Sequence, residues 1–381
     1  HESARSAVVI PEMERGRRTM VSEQLTQPGA PKVGVVGYGY WGPKLARNFN
    51  ETPAASLRWV ADRDVERLKS VADNYPDVQV THDYREMLNS DVDAIVVATP
   101  IHSHYALAKD ALLSGKHVLV EKPLTSSSAE AEELTELAES RGLTLMVGHT
   151  FEYNAAIRQL RDIVTSGELG DVYYVDSARL NLGLFQADIN VLWDLAPHDI
   201  SILLYILGSD PLEVSARGTA SVQRDIHDVA YLEARFPDNI LAHMHVSWLD
   251  PCKVRRITVV GSKKMVVCND LSETEKIRIY DKGVEQPHET DQFGDFHLQY
   301  RYGGVSIPHV PFQEPLRVQC EHFLECIRSG ARPQSDGRVG TKVVRILEQA
   351  DRSLQNGGAR EPFAVQMGPP LHETAVEAAA G

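Results

Sequence analysis

The stretch KVGVVGYGYWG, residues 32–42, joins a β-branched apolar run to a glycine-rich turn. Three glycines, Gly37, Gly39 and Gly42, follow the run with the spacing GxGxxG. In this position the first glycine permits a tight turn, the second lets the backbone approach a pyrophosphate, and the third allows a helix and a strand to pack closely. Amide groups at the start of the next helix can bind the phosphates. The stretch therefore predicts a dinucleotide-binding Rossmann domain whose turn, including Tyr38, Tyr40 and Trp41, contacts the coenzyme.

An acidic residue lies where this fold can use it. Asp62 comes twenty positions after Gly42, at the end of the next apolar run. A carboxylate there can bind the hydroxyls of the adenosine ribose. It favours NAD, because the 2′-phosphate of NADP would meet a negative charge. The neighbouring Arg63 can bind such a phosphate, so NADP stays open as the alternative.

The first half of the chain alternates apolar runs with segments of helical periodicity. The runs cover residues 32–36, 57–61, 94–98, 117–120 and 143–147, and two clear helical segments cover 106–113 and 129–138. Strands that are apolar throughout are typical of a parallel sheet covered on both faces. We therefore expect an α/β Rossmann domain with a doubly wound parallel sheet at residues 31–149.

After residue 148 the pattern changes to alternation of apolar and polar residues. It is clearest at 232–236, 242–246, 254–260 and 276–280, which predicts strands with one buried and one wet face. Helical segments cover 155–166, 316–329 and 341–354, and 283–315 is expected to be a loop. The second domain, residues 150–356, should be α+β with a mainly antiparallel open sheet that serves substrate binding and oligomerisation. Residues 1–30 and 357–381 are expected to be tails.

Composition excludes several classes of function. The formal net charge of -14 disfavours binding to nucleic acids or anionic membranes. The four cysteines show no metal-binding or redox spacing, and no apolar run reaches the roughly 18 residues of a membrane span. We expect a cytoplasmic protein. Because an open sheet face is commonly covered by a partner, we also expect a homodimer or homotetramer.

Two further motifs carry candidate chemistry. The sequence EKP at 121–123 follows the fourth apolar run, at the edge of the sheet where open α/β folds bind ligands. The sequence DLAPH at 194–198 has the pattern DxxxH, which places Asp194 and His198 on one face if residues 190–207 form a helix. Pro197 leaves a kink open. The pairs His102/His104 and His243/His245 lack a third ligand, so no metal is expected.

With GxGxxG, EKP and DxxxH in this order, residues 31–356 resemble the Gfo/Idh/MocA oxidoreductase family. The resemblance implies that Lys122 lies near the reacting hydroxyl, that His198 accepts or donates its proton, and that Asp194 orients or binds the substrate. It also implies that Glu121 and a loop containing Thr99, Pro100 and His104 lie beside the nicotinamide. The chemistry requires such groups, because removing a hydride from an alcohol carbon also requires the hydroxyl proton to leave, and a cation stabilises the developing alkoxide.

The segment 179–199 resembles the branch of the family that acts on nucleotide-linked sugars, where C3 is oxidised or a 3-keto group is reduced in amino- or deoxysugar biosynthesis. Candidate substrate-binding residues are Tyr153, Asn154, Arg179 and Asn181, together with Asp194 and His198. Two alternatives remain: a dehydrogenase of inositol or another polyol, and a dinucleotide-binding sensor without turnover.

Overall fold

Two β-sheets organise the chain in the computed structural model, which describes residues 29–285 and 298–363. The six strands of the first sheet are all parallel and lie in the order β3-β2-β1-β4-β5-β6. They are β1 (Lys32–Val36), β2 (Ser56–Ala61), β3 (Gln79–Thr81), β4 (Ala94–Val97), β5 (His117–Val120) and β6 (Leu145–Val147). The helices of this half are α1 (Gly42–Glu51), α2 (Val65–Asn74), α3 (Tyr84–Leu88), α4 (His104–Leu113) and α5 (Ser128–Ser140).

The central strands are apolar throughout because both of their faces are buried. All four residues of β4 are buried, and alternate residues point into different apolar clusters. Ala94 and Val96 join the cluster that contains Phe49 of α1, whereas Ile95 and Val97 join the cluster that contains Leu112 of α4. The predicted doubly wound parallel sheet is confirmed.

The sequence pattern missed β3 because this strand is short and mostly exposed. It has three residues, of which only Thr81 is buried. Without an apolar run, nothing in the local sequence distinguishes it from a loop.

The second sheet has nine strands in the order β14-β13-β12-β11-β7-β10-β9-β8-β15. All neighbours pair antiparallel except β7 and β10, so the predicted mainly antiparallel sheet is confirmed. The strands are β7 (Val172–Leu182), β8 (Glu213–Thr219), β9 (Val229–Arg235), β10 (Leu241–Ser247), β11 (Leu249–Gly261), β12 (Met265–Asn269), β13 (Ile277–Glu285), β14 (Gln299–Ser306) and β15 (Glu361–Pro362). Helices α6 (Ala155–Thr165) and α7 (Val191–Leu207) precede and follow β7.

The last two helices connect the halves. In α8 (Pro315–Ser329), Phe323 packs edge to face on Phe49 of α1, with ring centroids 6.4 Å apart. Helix α9 (Gly337–Gln355) contacts α5 in the first half and α7 and β8 in the second. We propose the domain division at residues 149 and 150, with α8 returning to pack on the first domain.

Two sequence predictions of irregular structure need correction. The expected loop 283–315 contains the end of β13 and the whole of β14, whose register places Tyr300 opposite Val284. Within the expected tail 357–381, β15 pairs with β8 at Glu361 and Val214. Residues 1–28, 286–297 and 364–381, which include nearly all of the predicted N-terminal tail, lie outside the described residues. No helix in the described ranges combines the length and apolar character of a membrane span.

Candidate active site

The turn after β1 has the geometry of a phosphate cradle. Gly37 has a φ of +93°, and a Cβ at this position would lie 2.7 Å from the carbonyl oxygen of Ala98. A Cβ on Gly42 would lie 2.1 Å from the carbonyl oxygen of Gly37, so the turn closes only with glycine at both positions. Around Gly39, by contrast, the nearest atom to a Cβ is Arg67 Nη1 at 3.7 Å. The turn is therefore closely packed at Gly37 and Gly42 and leaves space at Gly39, which fits the approach of the pyrophosphate of a dinucleotide.

The Asp62 carboxylate lies beside this turn. Its Oδ2 accepts a hydrogen bond from the amide of Tyr38 at 2.5 Å, and its Oδ1 accepts one from the amide of Asp64 at 2.8 Å. Arg67 Nη1 lies 3.5 Å from Oδ2, so Arg67 is a neighbour of the carboxylate that the motif did not indicate. Arg63 is exposed. The fixed carboxylate favours NAD for the reason given above, and NADP remains the alternative.

The three aromatic residues of the turn lie in different environments. The side chain of Tyr38 is buried in the core of the parallel sheet, so the predicted coenzyme contact of this residue stays a prediction for its backbone only. Tyr40 is exposed and Trp41 packs against its ring edge to face. Lys44 Nζ lies 3.3 Å from the centroid of the Tyr40 ring and 4.4 Å from that of Trp41. Trp41 and Lys44 line the cavity described below, and a coenzyme contact by Tyr40 and Trp41 stays a prediction.

His104 joins the two loops expected beside the nicotinamide. It is 1% exposed, with Nε2 2.8 Å from the carbonyl oxygen of Thr99 and Nδ1 2.9 Å from that of Pro123. The ring therefore lies beneath the crevice rather than in it, which corrects the prediction that His104 contacts the coenzyme. Its structural role is to hold the loop at Thr99 and Pro100 against the loop after β5.

Lys122 reaches from the end of β5 to helix α7. Its Nζ donates a hydrogen bond to the backbone carbonyl of Asp194 at 2.8 Å and lies 3.8 Å from Asp194 Oδ1. The other carboxylate oxygen of Asp194 accepts a hydrogen bond from Trp248 Nε1 at 2.9 Å. Burial lowers the pKa of Lys122, and the nearby Asp194 and Glu121 oppose that shift. Burial also raises the pKa of Glu121, to about 7.

His198 lies one turn after Asp194 on α7, as the DxxxH spacing predicted. Asn190 caps this helix by accepting hydrogen bonds from the amides of Leu192 and Trp193, and the helix continues through Pro197. The Nδ1 atom of His198 is buried without a hydrogen-bond partner among the residues that the structure describes. Burial, followed by the charges of Lys122 and Arg179, lowers the pKa of His198 well below its usual range. The ring is therefore neutral at pH 7 and can accept a proton.

A cavity of about 500 Å³ opens between these elements. Its cationic wall lies on the second sheet, where Arg179 of β7 stands opposite Arg255 of β11. Arg179 forms a buried ion pair with Asp199 at 2.5 Å, and Arg255 lies 3.3 Å from Asp270. Lining residues from both halves are Trp41, Lys44, Glu121, Gly148, Thr150, Phe151, Asn154, Arg179, Asn181, Leu195, His198, Lys253, Arg255, Asp270, Lys276 and Phe312.

Most of the substrate candidates lie at this cavity. Asn154, Arg179, Asn181 and His198 line it, whereas Lys122 and Asp194 contact each other next to it. Tyr153 is the exception. It is fully buried, its hydroxyl lies 2.9 Å from Ser335 Oγ, and we remove it from the substrate candidates.

Sequence reasoning missed several residues of the site. His149 and Phe151 directly follow β6, at the carboxyl edge of a parallel sheet where ligands bind, and this position could have indicated them. Arg255 and Asp270 come to the cavity through the register of the second sheet. No local motif marks them.

Comparisons with known proteins cover both halves of the chain. Residues 31–149 match the family described as "Oxidoreductase family, NAD-binding Rossmann fold", and residues 157–267 match the "GFO/IDH/MocA C-terminal domain". UDP-N-acetylglucosamine 3-dehydrogenase of Acidithiobacillus ferrooxidans is 30% identical over 84% of this chain and 95% of that protein. Myo-inositol 2-dehydrogenase of Thermotoga maritima is 24% identical over 85% of this chain and 96% of that protein. The crystal structure of GenD2 from gentamicin A biosynthesis, in complex with NAD, has a TM-score of 0.74, is 26% identical, and covers 88% of this chain and 97% of that chain.

Proposed function

Because the chain belongs to the Gfo/Idh/MocA family of oxidoreductases, we propose that it transfers a hydride between NAD and C3 of a nucleotide-linked sugar. The protein is an NAD(P)-dependent oxidoreductase with an NAD-binding Rossmann domain. The finer assignment, to C3 and to a nucleotide-linked sugar, is supported by the named activity of the Acidithiobacillus relative and by the cavity.

The observation that carries the proposal is that His198 lines a cavity at the carboxyl edge of the parallel sheet, while Lys122 lies next to that cavity, hydrogen-bonded to Asp194 one turn before His198 on α7. NAD, when bound, supplies the carbon that accepts the hydride. His198 takes the proton of the reacting hydroxyl, and the Lys122 ammonium stabilises the negative charge that develops on the oxygen. Asp194 holds Lys122 in place through its backbone carbonyl. The lowered pKa of His198 favours the neutral form, which has a free lone pair for the hydroxyl proton, but it also makes the imidazole a weaker base, so stabilisation of the alkoxide by Lys122 is required.

The charge of the cavity supports a nucleotide-linked substrate over a free polyol. In a chain with a net charge of -14, the described residues that line the cavity include five cations and three acidic side chains, Glu121, Asp270 and Glu314. These cations are Lys44, Arg179, Lys253, Arg255 and Lys276. Lys253 forms no ion pair with a carboxylate among residues 29–285 and 298–363, whereas the charge of Lys44 acts on Glu121 and lowers its pKa. A diphosphate would use such donors, whereas an uncharged inositol would not.

A substrate panel tests this proposal. Absorbance of reduced nicotinamide should rise with a UDP- or dTDP-linked sugar and NAD. The Lys253→Met variant should raise the KM for that sugar about 10-fold, because a charge-assisted contact contributes roughly 1.5–3 kcal/mol. Lys69→Met, at an exposed lysine paired with Glu66 away from the cavity, is the matched control. If the enzyme instead oxidised myo-inositol, with a KM that Lys253→Met did not change, the polyol alternative would be favoured. If no compound were turned over, the sensor alternative would be favoured.

We also propose that the enzyme is a homo-oligomer that associates through the open face of the second sheet. Residues of β10 alternate, with Ala242, Met244 and Val246 buried under the helices and the intervening side chains on the outer face. There the ring of Tyr231 stacks on His245 with centroids 4.3 Å apart, next to other half-exposed side chains. Light scattering should give a mass of at least twice 42.3 kDa, and a stable monomer would contradict this proposal.

A further inference from the structure

Two histidine rings near Lys122 carry buried nitrogens without partners. Both ring nitrogens of His149, and Nδ1 of His198, are buried and make no hydrogen bond to any described residue. His149 is 0% exposed. Buried polar atoms without a partner are rare in folded proteins, because each has lost its hydrogen bond to water. Three of them in the same part of an active site therefore require an explanation.

The backbone of His149 is held rigidly behind the cavity wall. Its amide donates to the carbonyl of Val147 at 2.7 Å, and its carbonyl accepts from the amide of Glu152 at 3.0 Å. The turn that follows, residues 150–153, contacts helix α7, and Phe151 lies edge-on to His198 with ring centroids 4.9 Å apart. His149 does not itself line the cavity. It can therefore influence the reaction only through a neighbouring side chain.

The charges around both rings keep them neutral. Burial lowers the pKa of His149 to about 3, and the charge of Lys122 adds to the shift. The charged groups that act on His198 are Lys122 after β5, Arg179 on β7 and Arg255 on β11, and His149 contributes to the same shift. The carboxylates of Asp194, on α7, and Glu121, after β5, act on the Lys122 ammonium. At pH 7 each imidazole then has one protonated nitrogen and one free lone pair.

A neutral His198 can accept a proton from a hydroxyl in the cavity only at the nitrogen that carries none. Because Nδ1 is buried, Nε2 is the atom available to a substrate, and the ring's own proton must then lie on Nδ1. The hydrogen bond made by one ring nitrogen decides which tautomer is present. No carboxylate or carbonyl of the described chain accepts from Nδ1, whereas His149, whose own ring nitrogens are buried without partners, directly precedes the turn that contacts α7.

We propose that His149 is a positioning residue that accepts the Nδ1 proton of His198 through one bridging water, and so keeps Nε2 free for the reacting hydroxyl. The proposed role of Nε2 as proton acceptor rests on the proposed function. The proposed water-mediated hydrogen bond between the His149 and His198 rings is independent of that function, because it would exist in the resting enzyme.

Nitrogen-15 NMR of the histidine side chains in the full-length, NAD-loaded enzyme tests the link. The His198 signals are identified by their loss in His198→Asn. We expect wild-type His198 to be protonated at Nδ1, His149→Phe to populate the Nε2-protonated tautomer, and His149→Gln, whose amide oxygen can accept, to restore the first form. An unchanged tautomer in His149→Phe would overturn the proposal. If that variant does not fold, His149→Leu gives the same comparison.

Kinetics with the sugar identified by the substrate panel test the consequence. His149→Phe should lower kcat about 10- to 100-fold with KM within about twofold, the size of effect typical of a residue that orients a histidine ligand. His149→Gln should recover most of the loss. Tyr153→Phe, which changes a buried side chain four positions later and outside the cavity, is the packing control. A tautomer change without loss of kcat would overturn the positioning role, whereas failure of every panel compound would count against the proposed function alone.

Discussion

Replacement of His198 by alanine should lower kcat by about 10²- to 10⁴-fold, which corresponds to roughly 3 to 5 kcal/mol of transition-state stabilisation. The physical reason is the loss of the neutral imidazole next to Lys122. The ammonium can stabilise an alkoxide but cannot take the proton away while it stays protonated. Stopped-flow and steady-state absorbance of reduced nicotinamide measure the effect. Affinity for NAD should change little, because His198 lies on α7 and not on the coenzyme turn.

Coenzyme affinity and thermal stability are the controls for this variant. His198→Asn should lose as much activity while it keeps a polar group of similar position, which separates the proton-accepting role from packing against Phe151. If His198→Ala turned over at a rate near that of the wild type, His198 would have no place in the mechanism, and the enzyme would need another base.

The fold could be predicted from sequence because its signals are local. The β1 run and the glycine turn are adjacent in the chain, and each glycine has one steric reason to be there. The second sheet was predicted for a similar reason, since strict alternation in β9 and β10 reports one buried face. The short strands β3 and β15 carry no such pattern, although β3 pairs with the preceding strand β2; the partner of β15 is β8, which lies much earlier in the chain.

The site could be predicted only where a motif marks it. Lys122 and Asp194 are 72 positions apart, and the sequence indicated their proximity only through the family resemblance. The sequence could not show which of these side chains line the cavity and which are buried beneath it. Tyr153 belongs to a turn that borders the cavity, and His104 begins the helix after β4, yet tertiary packing turns both side chains into the interior. Arg255 reaches the site because β11 pairs with β7 in a particular register, and no sequence motif specifies that register.

Glu152 shows how packing next to the site determines a charge state. Its side chain is 1% exposed, Oε2 lies 3.3 Å from Gln334 Nε2, and Oε1 has no partner in the described part of the chain. Burial raises the pKa of this carboxyl to about 8, the charge of Asp336 adds to the shift, and the hydrogen bond from Gln334 opposes it. The folded protein therefore holds Glu152 protonated at pH 7, whereas the unfolded chain ionises it near 4.5.

Glu152→Gln should therefore increase the free energy of unfolding by an amount that rises with pH. For a group whose folded pKa is raised, the stabilisation is complete below the unfolded pKa and is lost as pH rises toward the folded pKa, at about 1.4 kcal/mol per unit. Glutamine resembles the protonated acid and does not titrate. The variant should exceed the wild type in free energy of unfolding by less than about 1 kcal/mol at pH 5 and by roughly 3 to 5 kcal/mol at pH 8.

Urea denaturation of the coenzyme-free enzyme, followed by tryptophan fluorescence, measures both values. Glu136→Gln, at an exposed glutamate on α5, should show no such trend. A variant that is less stable than the wild type at pH 8 would instead mean that Glu152 is ionised and stabilised by the nearby Arg158 and Arg161.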